Sequence, residues 1–170
     1  MTAQTGNHRW EDLYGYWQSK HADGRAPARR DIDPPTEIPQ FAANLMLIDI
    51  APEGFQYRLV GSTIRERMGA ELTGKAVGSS GQSQSIRDEW KRTLDLVSGD
   101  GRPRMLVAPS PAGAALSNLM LVLPLIDDAG KVEQLLAGAF FNDQYYTPGA
   151  QYDQVTIREI GEDLLRGDRG

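Results

Sequence analysis

Apolar and polar residues alternate with two different periods along this chain, and the change of period divides it. Trp10, Leu13, Tyr14 and Trp17 recur at i, i+3, i+4 and i+7. That spacing predicts an amphipathic helix over residues 7–21, with Asn7 as N-cap and Gly24 as stop. Such a stripe needs cover, from the parent domain or from a second chain. Residues 22–40 follow as a connector in which Pro27, Pro34, Pro35 and Pro39 forbid a long helix. Its run Ala28-Arg29-Arg30-Asp31-Ile32-Asp33-Pro34 reads as an ion-paired strap over the surface. From residue 44 the period drops to two. Asn44 to Ile50 and Phe55 to Gly61 flank Pro52-Glu53-Gly54, a hairpin signal. A two-residue loop, Glu53-Gly54, sets Asp49 against Arg58, Ile50 against Tyr57 and Ile48 against Leu59. A three-residue loop sets Asp49 against Tyr57. The first register pairs opposite charges and is the one expected. It puts Met46, Ile48, Ile50, Tyr57 and Leu59 on one face, and Leu45, Leu47, Asp49, Arg58 and Val60 on the other.

Helical spacing then returns. Ser62 can cap a helix bearing Ile64 and Met68 that Gly69 stops. The low-complexity run from Ser79 to Ser85 reads as a mobile loop. Ser85 with Asp88 resembles a capping box for a longer helix. Its stripe is Ile86, Trp90, Leu94 and Val97, and Gly99-Asp100-Gly101 ends it. Three strands are predicted next: Arg104 to Ala108, Ser117 to Ile126 and Val132 to Phe141, with a turn at Asp127-Asp128-Ala129-Gly130. The last two are apolar on both parities, so both faces of the sheet must be covered. The helix of Trp90 is one cover. The other is the helix of Trp10 and Trp17, a terminal helix or a second subunit. Thr156 with Glu159 could cap that terminal helix, which would bear Ile157, Ile160 and Leu164. Three segments result: residues 1–40 as helix and strap, 41–145 as core, and 146–170 as a helical tail.

Charge and composition narrow the chemistry. The 170 residues carry 18 basic and 23 acidic side chains, a formal charge of -5, no Cys and two His. An acidic chain does not suit nucleic acid or an anionic membrane surface. The longest apolar stretch, Leu119 to Ile126, is far short of the ~20 residues a membrane helix needs. No secretory signal is visible, and a cytoplasmic protein is expected. Without Cys there is no disulfide, thiolate nucleophile or Cys-ligated metal.

The order helix, strap, hairpin, short helices, long helix and three antiparallel strands resembles a PAS domain. The resemblance is to a subgroup of stand-alone PAS proteins common in alphaproteobacteria. Asp31-Ile32-Asp33-Pro34, Tyr57-Arg58-Leu59-Val60-Gly61-Ser62 and Leu72-Thr73-Gly74 carry it, over roughly residues 10–145. It implies an α+β fold: a five-stranded antiparallel sheet with helices on one face, plus the extra N-terminal helix. It also implies a sensory or regulatory module rather than a reaction.

The residues agree with a non-catalytic reading. His8 and His21 both fall in the N-terminal helix, so a PAS-type haem and a His-based metal site are not expected. A cysteinyl-flavin is not expected either, and no motif supports flavin held non-covalently. Asp127 and Asp128 read as a solvated turn. Asp31 and Asp33 lie beside two Arg, which would spoil a general acid. A small-molecule pocket is expected between sheet and helices, lined by Tyr57, Leu59, Ile64, Trp90, Leu94, Met120 and Phe140. Tyr57 and Trp90 stand out because a buried phenol or indole seeks a hydrogen-bond partner. The interface candidates, for a homodimer or for a signalling partner such as a histidine kinase or a cyclic-dinucleotide protein, are Trp10, Leu13, Tyr14 and Trp17. Two alternatives stand beside the sensor. One is an interaction module with a filled core. The other is a cone-shaped enzyme fold of helix and sheet, which would want an inward His or Asp.

Overall fold

The computed structural model describes residues 9–79, 83–108, 118–141 and 155–161. The described chain runs through α1 (Trp10–Ser19), α2 (Pro34–Glu37), β1 (Leu45–Ala51), β2 (Gly54–Val60), α3 (Ser62–Met68) and α4 (Gln84–Asp100). It continues with β3 (Arg104–Val107), β4 (Asn118–Ile126), β5 (Val132–Phe141) and β6 (Thr156–Glu159). Short 3-10 turns at Arg29–Asp31 and Pro39–Asn44 flank α2, as the prolines require. The strands form one antiparallel sheet in the order β2-β1-β5-β4-β3-β6. The α+β fold and the five expected strands are all present, and β6 adds a sixth.

The sheet is buried on both faces, as the double-parity strands require. Leu119, Leu121, Leu123 and Leu125 of β4 join a core with Trp10, Leu13, Tyr14 and Trp17 of α1. Val122 joins a second core with Trp90, Leu94 and Val97 of α4, and Met120 packs against it. The apolar stripe of α1 is thus absorbed by its own sheet. All four side chains proposed as an interface are at most 9% exposed, so none is free for a second chain. Gly138 makes this close approach possible. A Cβ there would lie 2.5 Å from Leu13 Cδ2. The Trp17 indole N–H donates to the Pro124 carbonyl at 2.9 Å. Pro124 is tolerated in β4 because the β3–β4 pairing has already ended at Arg104 opposite Val122.

The boundaries of α1 differ from those predicted. The helix ends at Ser19, and Gly24 (φ 70°) with Asp23 (φ 52°) instead forms a tight turn that closes Ala22 on Arg25. Asn7 lies outside the described residues. The strap is fastened at several points. Arg30 pairs with Asp128 at 2.7 Å, and Pro27 accepts from the Ile126 N–H at 3.0 Å. Tyr16 donates to Glu37 at 2.9 Å, Lys20 also pairs with Glu37, and the Asp33 N–H reaches the Tyr16 hydroxyl at 3.1 Å. Burial and the bond to Glu37 push the Tyr16 phenol up to about 12.

The first hairpin corrects the expected register. Its two-residue loop is Pro52-Glu53, with Ala51 opposite Gly54, Asp49 opposite Gln56 and Ile48 opposite Tyr57. A β-bulge then leaves Arg58 unpaired, so that Leu47 faces Leu59 and Met46 faces Val60. The extra residue inverts the alternation. Val60, not Leu59, therefore shares the Tyr57 face. Asp49 and Arg58 still meet diagonally at 3.3 Å.

Two caps also move. Gly61, not Ser62, is the residue before α3, and a Cβ there would collide with the backbone of Ala42 and Ala43. Gly69 (φ 64°) ends α3 as predicted. Ser83, not Ser85 with Asp88, caps α4 by accepting from the Ile86 N–H at 3.4 Å, and Asp88 instead takes the Gln84 amide at 2.6 Å. Helix α4 runs through Gly99 and Asp100 to Gly101 (φ 71°). Residues 80–82 of the expected loop lie outside the description. The expected C-terminal helix is replaced between Thr156 and Glu159 by β6, antiparallel to β3. Leu164 lies outside the described residues.

Candidate functional site

The core behind α4 is built around one polar pair. The bulge after Tyr57 turns Arg58 and Leu59 outward and leaves the Tyr57 ring inside. The segment after α3 fixes the Tyr57 backbone. Its N–H donates to Lys75 O at 2.9 Å, and its carbonyl accepts from the Gly74 N–H at 2.6 Å. Gly74 turns with φ 82°, a left-handed conformation that favours glycine, and Leu72 beside it is buried. Two of the three sequence motifs, Tyr57 to Ser62 and Leu72 to Gly74, therefore meet here. The third serves the other face: Ile32 enters the α1-side core, and the Asp33 carbonyl caps the turn of α2.

Inside this core the Trp90 indole N–H donates to the Tyr57 hydroxyl oxygen at 3.0 Å. Burial pushes the Tyr57 phenol up, and the Trp90 N–H partly offsets that rise by favouring the phenolate. Tyr57 is therefore a neutral O–H at physiological pH. It accepts one hydrogen bond and, among the described residues, donates none. Such an unused buried donor costs roughly 1–3 kcal/mol.

Five of the predicted pocket residues come together. Tyr57, Ile64, Trp90 and Leu94 share the α4-side core, and Met120 packs against it. Two do not. Phe140 belongs to the α1-side core, edge-on to Phe41 at 6.0 Å, because it sits opposite Leu119 in the ladder. Leu59 is 45% exposed, an effect of the bulge.

Polar features that the sequence reading missed lie at the rims. Arg104 in β3 is a buried arginine with a 6% exposed side chain. It holds both Asp100 oxygens at 2.7 and 2.6 Å and reaches Glu159 at 3.2 Å. That guanidinium holds the Asp100 carboxyl down at about 2. The only early signal was an Arg opening an otherwise apolar run. On the opposite face the buried Gln134 amide donates to Asp49 at 2.6 Å, and its own carbonyl oxygen has no partner among the described residues. Outside both cores an open cleft of about 410 Å³ runs beside α3, between Arg65, Glu66 and Glu71. Arg65 pairs with Glu71 there at 2.9 Å and, with the Thr73 N–H, lowers the Glu71 carboxyl to about 2.

An antiparallel sheet whose first hairpin is parted from the later strands by helices, with an apolar core behind the longest one, defines the class: a small α+β module. Comparison with known families makes this specific. The family model described as "PAS domain" matches residues 6–140, and the chain belongs to the PAS domain family. The match takes in β1 to β4 and nearly all of β5. A search of the curated proteins finds no match. Among solved structures, the chain is similar to the PAS domain from Bordetella pertussis BvgS. The identity is 17% and the TM-score 0.43, over 74% of this chain and 83% of that one. Family membership makes the chain a sensory or regulatory module in general terms. No described helix is long and apolar enough to cross a membrane.

Proposed function

We propose that the chain is a non-catalytic regulatory module of the cytoplasm whose α4-side core receives a small, mostly apolar molecule bearing one hydrogen-bond acceptor. The observation that carries this reading is the Tyr57 hydroxyl. It is buried, neutral and already bonded as an acceptor to Trp90, yet its own proton has no acceptor among the described residues. A ligand carbonyl or ring nitrogen would take that proton, and the apolar walls would take the rest. Binding then favours one arrangement of the sheet and its helices, by no more than the ligand's differential affinity. The output is contact with a second copy or with a signalling protein, such as a histidine kinase or a cyclic-dinucleotide protein.

Native mass spectrometry of the purified protein tests this. A retained small molecule is expected on the wild type and not on Tyr57→Phe. The chain mass alone, with no thermal shift from a panel of aromatic ketones, overturns it. A second reading has its own observation: Tyr57, Ile64, Trp90 and Leu94 are each 5% exposed or less. Packing that tight suits an interaction module with a filled core. The same spectrum decides, because that module carries no guest.

A further inference from the structure

The outer edge of β3 is held by β6, a short and mostly exposed strand, and we infer that this edge is a docking site for an extended peptide. The favoured peptide has an aliphatic residue followed, two positions on, by an acidic one. At present β6 fills the site in cis. Thr156 pairs with Val107, Ile157 with Leu106 and Glu159 with Arg104. The strand has four residues and lies beyond the stretch matched by the family model. Thr156, Arg158 and Glu159 are exposed, and Ile157 is half-buried. Within the strand only Ile157 packs against the α4-side core. A four-residue strand held by one half-buried side chain opens at lower free-energy cost than the doubly covered strands beside it.

The β3 side of the pairing is different. Arg104, Met105 and Leu106 are buried and stay anchored to α4 and β4. Loss of Glu159 leaves no stranded charge, because both Arg104 Nη atoms remain on Asp100. The edge thus survives the departure of β6 as a preformed row of backbone donors and acceptors, which is what β-augmentation uses. Selectivity follows from the two side chains that β6 itself employs. Leu106 lies opposite Ile157, and the Arg104 guanidinium is aimed at Glu159 from 3.2 Å. The occupant is a segment of a partner protein with that aliphatic-x-acidic pattern.

Two measurements on the full chain test the site. In native amide exchange, the amides of β6 and the β3 amides bonded to them are expected to exchange together. They should do so at least tenfold faster than the β3 amides bonded to β4. Equal protection overturns the proposal. In the second, Ile157→Asp detaches β6 while Arg104 keeps Asp100. A fluorescent peptide with the sequence of residues 155–161 is expected to bind this variant at least tenfold tighter than wild type. The same peptide carrying Glu159→Lys should bind at least tenfold more weakly. Equal binding of the two peptides, or none to a variant that retains protected β4 and β5, overturns it. If the variant loses that protection, the wild-type exchange pattern alone decides.

Discussion

On the α1 side of the sheet, two aromatic polar tips bond to groups outside the aromatic cluster. Trp17 donates to a backbone carbonyl, Pro124, and Tyr16 reaches the surface carboxylate of Glu37. On the α4 side, Tyr57 and Trp90 meet each other inside the core, and the Tyr57 proton has no acceptor among the described residues. Both faces are apolar and both are covered by a Trp-bearing helix. They differ in where their hydrogen bonds end. Bonds that end on backbone fasten a helix in place. A pair that ends on itself, with one donor unused, leaves a polar point that a guest can address.

Trp17→Ala is expected to break this comparison most severely. It removes a buried indole from the α1 side and strands the Pro124 carbonyl. The expected loss is about 3–5 kcal/mol in denaturant unfolding, with no change in oligomeric mass. A changed mass with unchanged stability would return α1 to the role of an interface. Tyr57→Phe is smaller and sharper. It leaves the Trp90 N–H without its acceptor but also removes the unused phenol proton, so the two effects largely offset and the net loss should be about 1 kcal/mol or less. Calorimetry should show any ligand-induced rise in Tm abolished. A loss above about 3 kcal/mol would mean that the Tyr57 proton is not an unused donor.

Asp100→Asn probes the rim of the α4 side. The folded pKa of Asp100, about 2, lies below the ordinary 3.8. Its contribution is therefore complete above about pH 4 and is lost as pH falls toward 2. The variant should lose roughly 1 kcal/mol at pH 7. Its stability should also fall less steeply than that of wild type across that acid window. Leu59→Ser is the smallest change. At an exposed site it should shift stability by less than about 0.5 kcal/mol and leave ligand binding untouched. A large effect would put Leu59 back in the pocket.

The strands that build both cores were legible because β4 and β5 are apolar on both parities, a pattern that only a doubly covered strand requires. The motifs were legible because Gly61 and Gly74 answer to backbone demands, a close approach and a left-handed turn. Two features were not legible. The bulge at Arg58 adds one residue to a run whose alternation of Phe55, Tyr57 and Leu59 reads as unbroken. A single extra residue leaves no mark on local pattern, yet it moves Leu59 out and Val60 in. Strand β6 was misread because Ile157 and Ile160 fit helical spacing. Four residues cannot establish a period, and pairing with β3 overrides local preference. The β-branched run Val155, Thr156 and Ile157 was the available sign of a strand.

The partition of the indoles between the two cores has an optical consequence. The chain has three tryptophans: Trp10 and Trp17 on one side of the sheet and Trp90 on the other. A chain carrying Trp10→Phe and Trp17→Phe emits only from beside Tyr57. One carrying Trp90→Phe emits only from beneath α1. Two spectra, recorded on the same fold, separate events in one compartment from events in the other without any attached label.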